Sequence, residues 1–173
     1  MASFLNPEEV LDQLNLKPDM VAAEFGCGSG GFSFPLAKRL ENGLVYAIDI
    51  LQEPLSALNS RALLENIINI RVIRSDLEKP RGSTLRDISL DLVFIPNVLF
   101  QVDNKDAIII EAKRVLKTGG KIVVIDWKKG ATQGPEKGRV APDEIKKIAE
   151  KAGLVFGKDF EAGKYHFGLI FKK

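Results

Sequence analysis

Short apolar runs alternate with amphipathic segments along most of the chain, and this alternation is what most constrains the fold. The runs are apolar on nearly every residue, as is typical of strands buried on both faces. The predicted strands cover residues 20–25, 44–49, 70–74, 90–95 and 121–126. The segments before and between them have helical spacing of apolar residues, and the predicted helices cover 7–14, 32–40, 54–66 and 105–116. This order predicts an α/β fold with a mostly parallel sheet covered by helices on both faces.

The last part of the chain departs from this alternation. A helix predicted over residues 142–152 is followed by two strand segments, 154–160 and 165–171, with residues 161–164 as the turn between them. Strands joined by so short a turn can pair only as an antiparallel hairpin. The sequence therefore predicts a Rossmann-like three-layer sandwich, with a mostly parallel seven-stranded sheet that ends in an antiparallel hairpin.

Length and composition predict one domain, because 173 residues with 45% hydrophobic content suffice for one core and neither a linker nor a repeat divides them. No apolar run approaches the roughly 18 residues of a membrane span, and the N-terminal residues lack the features of a signal peptide. Cys27 is the single cysteine, which excludes an internal disulfide and agrees with a reducing compartment. We therefore expect a cytoplasmic protein.

Charge is distributed unevenly along the chain. Residues 117–173 carry 13 Lys and Arg against 7 Asp and Glu, whereas residues 1–116 carry 12 against 16. Solvated lysine-rich surfaces explain this difference most simply. A basic surface for an anionic substrate or RNA is the alternative, which we do not favour.

The first predicted strand runs into an acid and a glycine-rich turn, Glu24-Phe25-Gly26-Cys27-Gly28-Ser29-Gly30-Gly31. Glycine tolerates positive φ and has no Cβ, so a ligand can touch the main chain there, beside the N–H groups of the helix that follows. The spacing Gly26-x-Gly28-x-x-Gly31, with Asp49 18 positions further on, fits the fingerprint of dinucleotide-binding folds. Taken alone, this pattern predicts NAD.

The same residues also read Glu24-x-Gly26-x-Gly28-x-Gly30, and here the sequence resembles the class I S-adenosylmethionine-dependent methyltransferases. Their first motif is an acid two residues before a G-x-G-x-G turn. An acid at Glu24 favours a cationic amino-acid ligand over a pyrophosphate. Asp76 and Asn97, which follow the third and fourth predicted strands, match the family's positions beside the adenine and the methionine end of the cofactor.

The resemblance covers nearly the whole chain and implies the strand order 3-2-1-4-5-7-6. Residues 20–173 would form the cofactor-binding core, with residues 1–19 as an N-terminal helix and cover segment. The segments EAKRVLKTGGKIVVIDW and GPEKGR look most like the type 11 group, which includes the quinone C-methyltransferases.

S-adenosylmethionine is the cofactor that the resemblance implies, and it assigns a role to each residue of the site. Asp49 would accept from the ribose hydroxyls, and Ile50 or Leu51 would pack on the adenine. Asp76 and the Leu77 main chain would make polar contacts with the edge of the adenine. The main chain of the turn and of Asn97 would hold the methionine part, with Glu24 near its amino group. The predicted cofactor-binding residues are Glu24, Gly26, Cys27, Gly28, Gly30, Asp49, Ile50, Asp76, Leu77 and Asn97.

No catalytic residue and no metal site are predicted, because the sulfonium donor is already activated and positioning can carry much of the rate. We expect Cys27 to be a packed side chain rather than a reactive thiol. His166, the single histidine, is expected to be a partly buried strand residue rather than a base. Trp127 and the basic loop 128–139 are either a cover for the substrate or a solvated loop.

The methyl acceptor is left open, with a small molecule favoured. The short N-terminal segment and the short 127–141 segment allow three arrangements: a shallow pocket, a pocket completed by a second copy or a partner, or a macromolecular acceptor. An NAD(P)-dependent oxidoreductase and a non-catalytic module that binds RNA or a partner are the alternatives to a methyltransferase.

Overall fold

The computed structural model describes residues 5–173, and within that range the chain forms five helices and seven strands. The helices are α1 (Pro7–Leu11), α2 (Ser33–Arg39), α3 (Gln52–Leu64), α4 (Lys105–Val115) and α5 (Pro142–Lys151). The strands are β1 (Val21–Phe25), β2 (Leu44–Asp49), β3 (Ile70–Arg74), β4 (Leu90–Pro96), β5 (Leu116–Trp127), β6 (Val155–Glu161) and β7 (His166–Lys172). Among these residues no helix is both long and apolar enough to cross a membrane.

All seven strands belong to one sheet, in the order β3-β2-β1-β4-β5-β7-β6. Neighbouring strands from β3 to β5 pair in parallel, whereas β7 pairs antiparallel with both β5 and β6. The predicted fold class, strand order and terminal hairpin are therefore confirmed. Because β1 to β5 are parallel, their carboxyl ends meet at one edge of the sheet, where open α/β folds bind their ligands.

Helices cover both faces of the sheet because successive side chains of each buried strand point to opposite faces. On one face, α4 and α5 pack on a cluster that includes Val93 and Val124. On the other face, α1, α2 and α3 pack on a cluster that includes Phe94 and Val123. Consecutive residues of β4 and of β5 thus pack against helices on opposite faces of the sheet, and the sheet with its two helical layers forms the predicted three-layer sandwich.

Most predicted boundaries agree with the structure to within about two residues, and two were wrong by more than that. Strand β5 begins at Leu116 rather than at residue 121, because the C-terminal residue pairs with the segment expected to stop α4. The Gly119 N–H donates to the Lys173 carbonyl and the Lys173 N–H to the Gly120 carbonyl, both at 3.0 Å. Helix α1 ends at Leu11, because the N–H groups of Gln13 and Leu14 donate only three residues back and tighten the chain into a turn.

Candidate cofactor site

The glycine turn between β1 and α2 lies at the carboxyl edge of the sheet and is held there by β2. The N–H groups of Gly26 and Cys27 both donate to the Ile48 carbonyl, at 2.8 and 3.0 Å. The Gly28 N–H donates to the Asp49 carboxylate at 2.9 Å. These bonds fix the shape of the turn and bring Asp49 directly beside it.

Gly26 is also in contact with the segment that follows β4. Its φ is +72°, and a Cβ at this position would lie 2.3 Å from Val98 Cγ2. Two cavities share Gly26 in their walls. Cavity A, of about 250 Å³, also contains Asp49, Ile50, Asp76 and Leu77 in its lining, and cavity B, of about 440 Å³, contains Glu24, Cys27, Gly28 and Asn97. Of the ten predicted site residues, Gly30 alone lines neither.

Cavity A combines carboxylates with exposed apolar side chains. Asp49 accepts one hydrogen bond on each oxygen, from Gly28 N–H and from Leu51 N–H at 3.0 Å. Each oxygen has a second lone pair, so the carboxylate can accept from two further donors. Ile50 and Leu51 are 54% and 61% exposed, which leaves apolar surface for a ring to cover.

Asp76 lies at the far side of cavity A, beyond the end of β3. One of its carboxylate oxygens accepts from the Glu78 N–H at 3.0 Å, and the other lies 3.7 Å from the Lys79 ammonium. The side chain is partly buried, and Leu77 beside it is buried. Asp76 therefore keeps acceptor capacity toward a ligand while also ordering its own turn.

Glu24 in the wall of cavity B is a buried carboxyl group, only 1% exposed. The Ser33 hydroxyl donates to it at 2.5 Å, and the N–H groups of Phe32 and Ser33 at the start of α2 also point to it. Burial raises the pKa of Glu24 from its ordinary 4.5 to about 8, against the lowering effect of these hydrogen bonds. In the unliganded protein the group is therefore largely protonated at neutral pH.

Asn97 faces Glu24 across cavity B, in the left-handed region with φ +55°. Its N–H donates to the Ile125 carbonyl at 2.8 Å, and its carbonyl accepts from Gln101 at 3.0 Å. Its side-chain Oδ1 is buried, and no residue among those described donates to it. A buried acceptor beside a cavity is the kind of group that a ligand's donor satisfies.

Asp126, at the end of β5, anchors the segment after β4. Its carboxylate accepts from the N–H groups of Phe100 at 3.1 Å and Trp127 at 2.8 Å. Burial raises the pKa of Asp126 to about 6. Asp126 was not singled out from the sequence, although it is an acid at the end of a parallel strand, as Glu24 and Asp49 are.

The thiol of Cys27 is buried, and burial, followed by the charges of Glu24 and Asp49, holds its pKa far above the usual range. The prediction of a packed thiol is thus confirmed.

Gly30 fits against α2 and α3, because a Cβ there would lie 2.8 Å from Phe34 and 3.1 Å from Leu58. Its position is explained by packing beneath the turn.

His166 is completely buried, whereas the sequence had predicted partial burial. It lies on β7, which has β5 on one side and β6 on the other, and its ring centroid is 4.0 Å from that of Trp127. The loop 128–139 after Trp127 is organised by Arg139, whose guanidinium donates to the carbonyls of residues 128, 129, 131, 133 and 135. The loop is therefore a hydrogen-bonded unit, and it lines neither cavity A nor cavity B.

Sequence reasoning missed three further residues at the site. Ser33 holds Glu24, Val98 packs on Gly26, and Gln101 both lines cavity A and supports the Asn97 carbonyl. Ser33 was identifiable as a hydroxyl in the first turn of the helix after the glycine motif. Val98 and Gln101 carry no such signal, because their roles depend on how the segment after β4 folds back.

The fold and the paired cavities define a nucleotide-cofactor-binding α/β domain. A family model described as a methyltransferase domain matches residues 16–155. The crystal structure of a SAM-dependent methyltransferase from Aquifex aeolicus is 30% identical, with a TM-score of 0.88 over 96% of this chain and 89% of that one. The chain belongs to the S-adenosylmethionine-dependent methyltransferases, and S-adenosylmethionine is its cofactor.

Curated relatives place the chain in the same family. The ubiquinone/menaquinone biosynthesis C-methyltransferase UbiE of Paraburkholderia phymatum is 30% identical over 118 residues, which are 68% of this chain and 47% of that protein. Phosphoethanolamine N-methyltransferase 3 of Arabidopsis thaliana is 24% identical over 121 residues, 69% of this chain and 24% of that protein. The chain thus matches about a quarter to a half of the length of these relatives. The predicted likeness to the type 11 and quinone C-methyltransferase group is confirmed.

Proposed function

We propose that this chain transfers the methyl group of S-adenosylmethionine to a small acceptor molecule. The observation that carries the proposal is the meeting of two chemically different cavities at Gly26. Cavity A offers carboxylates and apolar surface, and cavity B offers a glycine turn, a buried carboxyl group and an unsatisfied amide oxygen. A nucleoside joined to an amino acid would lie across Gly26 with one end in each cavity.

In cavity A, Asp49 would accept from both ribose hydroxyls with its two remaining lone pairs. Ile50 would pack on one face of the adenine, since its side chain is half exposed at the cavity. Asp76 and the Leu77 main chain would contact the adenine edge. Such a set of acceptors suits the ribose and adenine of a neutral nucleoside.

In cavity B, Gly28 leaves the room that the methionine part needs. A Cβ at Gly28 would meet nothing within 4 Å, so the space in front of the turn is open. The ammonium group of the cofactor would lie near Glu24 and the Asn97 main chain, and the Asn97 Oδ1 offers it a further acceptor. Gly26 and Cys27 would contribute main-chain contacts, and Gly30 would support the turn from below.

When bound, S-adenosylmethionine would supply a methyl group on a positively charged sulfur, and the bond to sulfur would break as the acceptor bonds to the methyl carbon, which leaves a neutral thioether. The chain's own residues would position the acceptor beside the methyl group. Leu5, Phe32 and Pro96 line cavity B and give it an apolar wall for a small, largely apolar acceptor. The proton of the acceptor would pass to solvent at the open side of this cavity.

Residues 20–173 would be the cofactor-binding core, with residues 1–19 as the cover segment. The lining of cavity B supports this division, since Leu5 and Pro7 come from that segment. Because the wall is incomplete, we further propose that a second copy or a partner completes it. The buried thiol of Cys27 suits a reducing compartment, so we place the activity in the cytoplasm.

Replacing Asp49 by asparagine should weaken the binding of S-adenosylhomocysteine about 10- to 100-fold, because hydrogen bonds to a charged acceptor contribute about 1.5–3 kcal/mol. Asparagine has nearly the same shape, and its single amide oxygen can still accept from the Gly28 N–H of the turn. Its NH2 group cannot accept from the Leu51 N–H, but Leu51 is exposed and water can take that bond, so the fold should persist. Isothermal titration calorimetry gives the affinity. The matched control is Asp159→Asn, an exposed carboxylate on β6, which should bind like the wild type.

Two outcomes would contradict the proposal. Equal affinities of Asp49→Asn and Asp159→Asn would remove Asp49 from the site. Binding of NADH without binding of S-adenosylhomocysteine would replace the methyltransferase by an oxidoreductase. The acceptor class is tested with methyl-labelled S-adenosylmethionine and a fractionated cell extract, where label in RNA or protein instead of small molecules would overturn that part.

A further inference from the structure

A third cavity, cavity C, lies at the opposite end of the sheet from the cofactor site. Its volume is about 260 Å³, and its floor is made by Leu92, Val123 and Ile170 from the neighbouring strands β4, β5 and β7. Leu14 and Leu16 form part of its wall. Because α1 ends at Leu11, a loop instead of a helix crosses this part of the sheet. The floor itself is buried, and the half-buried side chains of Leu14, Leu16 and Met20 border the open part of the cavity.

Three lysines line cavity C, one from each of β5, β7 and β6. Lys121 and Lys172 are direct cross-strand partners, and Lys158 pairs with Ile170 two residues from Lys172. Like charges directly opposite each other destabilise a sheet. This arrangement therefore costs stability unless a negative charge lies between the lysines.

Within residues 5–173, the lining of cavity C holds one negative charge, and that charge is already paired with another lysine. Asp91 is the single carboxylate in the lining of cavity C, and it already accepts from Lys117 at 2.9 Å and from the Val21 N–H at 2.8 Å. Lys158 reaches the Gln13 carbonyl at 3.5 Å. Among the described residues, Lys121 and Lys172 have neither an ion pair nor a hydrogen bond through their ammonium groups. Cavity C thus joins an apolar floor to an uncompensated positive rim.

We propose that cavity C binds a small amphiphilic anion, with its apolar body on Leu92, Val123 and Ile170 and its carboxylate or phosphate between Lys121 and Lys172. The apolar body gains by leaving water, and the head group gains charge-assisted hydrogen bonds. The volume lies just below the range of about 300–1,000 Å³ that is usual for drug-sized ligands, which favours a short chain. An inorganic anion would leave the apolar part of the cavity unfilled, and a neutral ligand would leave the lysines uncompensated.

Octanoate and octyl phosphate are the probes for this site, compared with octan-1-ol and inorganic phosphate. Methyl resonances of Leu92, Val123 and Ile170 report binding directly when the protein carries ¹³C-labelled methyl groups. We expect saturable shifts of these resonances with at least one of the two anionic amphiphiles, much weaker effects with octan-1-ol and none with phosphate. The Ile50 methyl at cavity A should not respond, which separates this site from the cofactor site.

Lysine variants test the proposed head-group contacts. Lys121→Met and Lys172→Met should each weaken binding of the anionic amphiphile about tenfold, as expected for one lost charge-assisted contact. The matched control Lys147→Met, on the exposed face of α5, should leave the affinity unchanged. Without the probe, Lys121→Met should also raise the melting temperature, because it removes the repulsion.

Two results would overturn the proposal. The first is the absence of saturable shifts with both anionic probes at millimolar concentration. The second is equal binding of octan-1-ol and octanoate together with unchanged affinity in both lysine variants, since that pattern describes an apolar cleft without a head-group site. Neither result affects the binding of S-adenosylhomocysteine, so the proposed methyl transfer is tested separately.

Discussion

Replacing Gly26 by alanine should lower the free energy of unfolding by about 2–5 kcal/mol, because two costs act together. A residue with a Cβ in a left-handed conformation costs about 1–2 kcal/mol, and Gly26 has φ +72°. The new methyl group would lie 2.3 Å from Val98 Cγ2, and overpacking of this kind costs about 1–3 kcal/mol. Chemical denaturation followed by circular dichroism measures the change.

The steric part of this cost can be separated with Val98→Ala. That substitution opens the space that the methyl group introduced by Gly26→Ala needs, while the backbone strain at the turn stays. In a double-mutant cycle the two substitutions should be non-additive, with the double variant more stable than the sum of the single effects predicts. Strict additivity would mean that Gly26 and Val98 are not in contact.

Gly31 and Gly28 are the matched controls. A Cβ at either position meets nothing within 4 Å. Gly31 also lacks a positive φ, so Gly31→Ala should change stability by no more than about 0.5 kcal/mol. Gly28 has φ +51°, so Gly28→Ala should cost about 1–2 kcal/mol from the backbone alone. Equal losses in Gly26→Ala and Gly31→Ala would contradict the proposed contact.

Strand positions were predictable from the sequence because the core strands are apolar on both faces and are bounded by glycine, proline and asparagine. Asp49 and Asp76 were predictable for the same reason. Asp49 is the last residue of β2 and Asp76 lies two residues after β3, and the carboxyl ends of parallel strands converge. The sequence positions of Asp49 and Asp76 relative to the strands were therefore enough to predict that both acids lie at the carboxyl edge of the sheet.

Contacts that depend on long-range register were not predictable. The Gly26 and Val98 contact requires the segment after β4 to fold back over the turn. The pairing of Lys121 with Lys172 depends on the register of β7, and the early start of β5 depends on the C-terminal residue pairing with it. No local pattern encodes these contacts, because their partners lie far apart in the sequence.

The stability of the unliganded protein should fall by about 4 kcal/mol as pH rises from 4.5 to about 8, through Glu24. Its pKa is raised from 4.5 to about 8 by burial. Between these values the folded protein keeps a proton that the unfolded chain has lost, so the contribution of Glu24 to stability is fully present below pH 4.5 and decreases by up to about 1.4 kcal/mol per pH unit as the pH rises. Urea denaturation across this pH range measures the slope.

Glu24→Gln isolates this effect from that of Asp126, whose raised pKa of about 6 acts in the same direction at lower pH. Glutamine is neutral, similar in shape and still able to accept from Ser33. The difference in the free energy of unfolding between wild type and Glu24→Gln should therefore depend on pH. The wild type should become less stable relative to the variant as the pH rises to 8. A constant difference would mean that Glu24 has the same pKa in the folded and unfolded states.

Binding of the cofactor should offset the free-energy cost of ionising the buried Glu24 if the ammonium group of the cofactor lies beside it, because a nearby positive charge favours the carboxylate. Binding would then release the Glu24 proton, and the affinity for S-adenosylhomocysteine should rise by up to about tenfold per pH unit as the pH increases toward 8. Calorimetry in two buffers with different ionisation enthalpies counts the released proton. Glu24→Gln should lack this release, and its persistence in the variant would place the titrating group elsewhere.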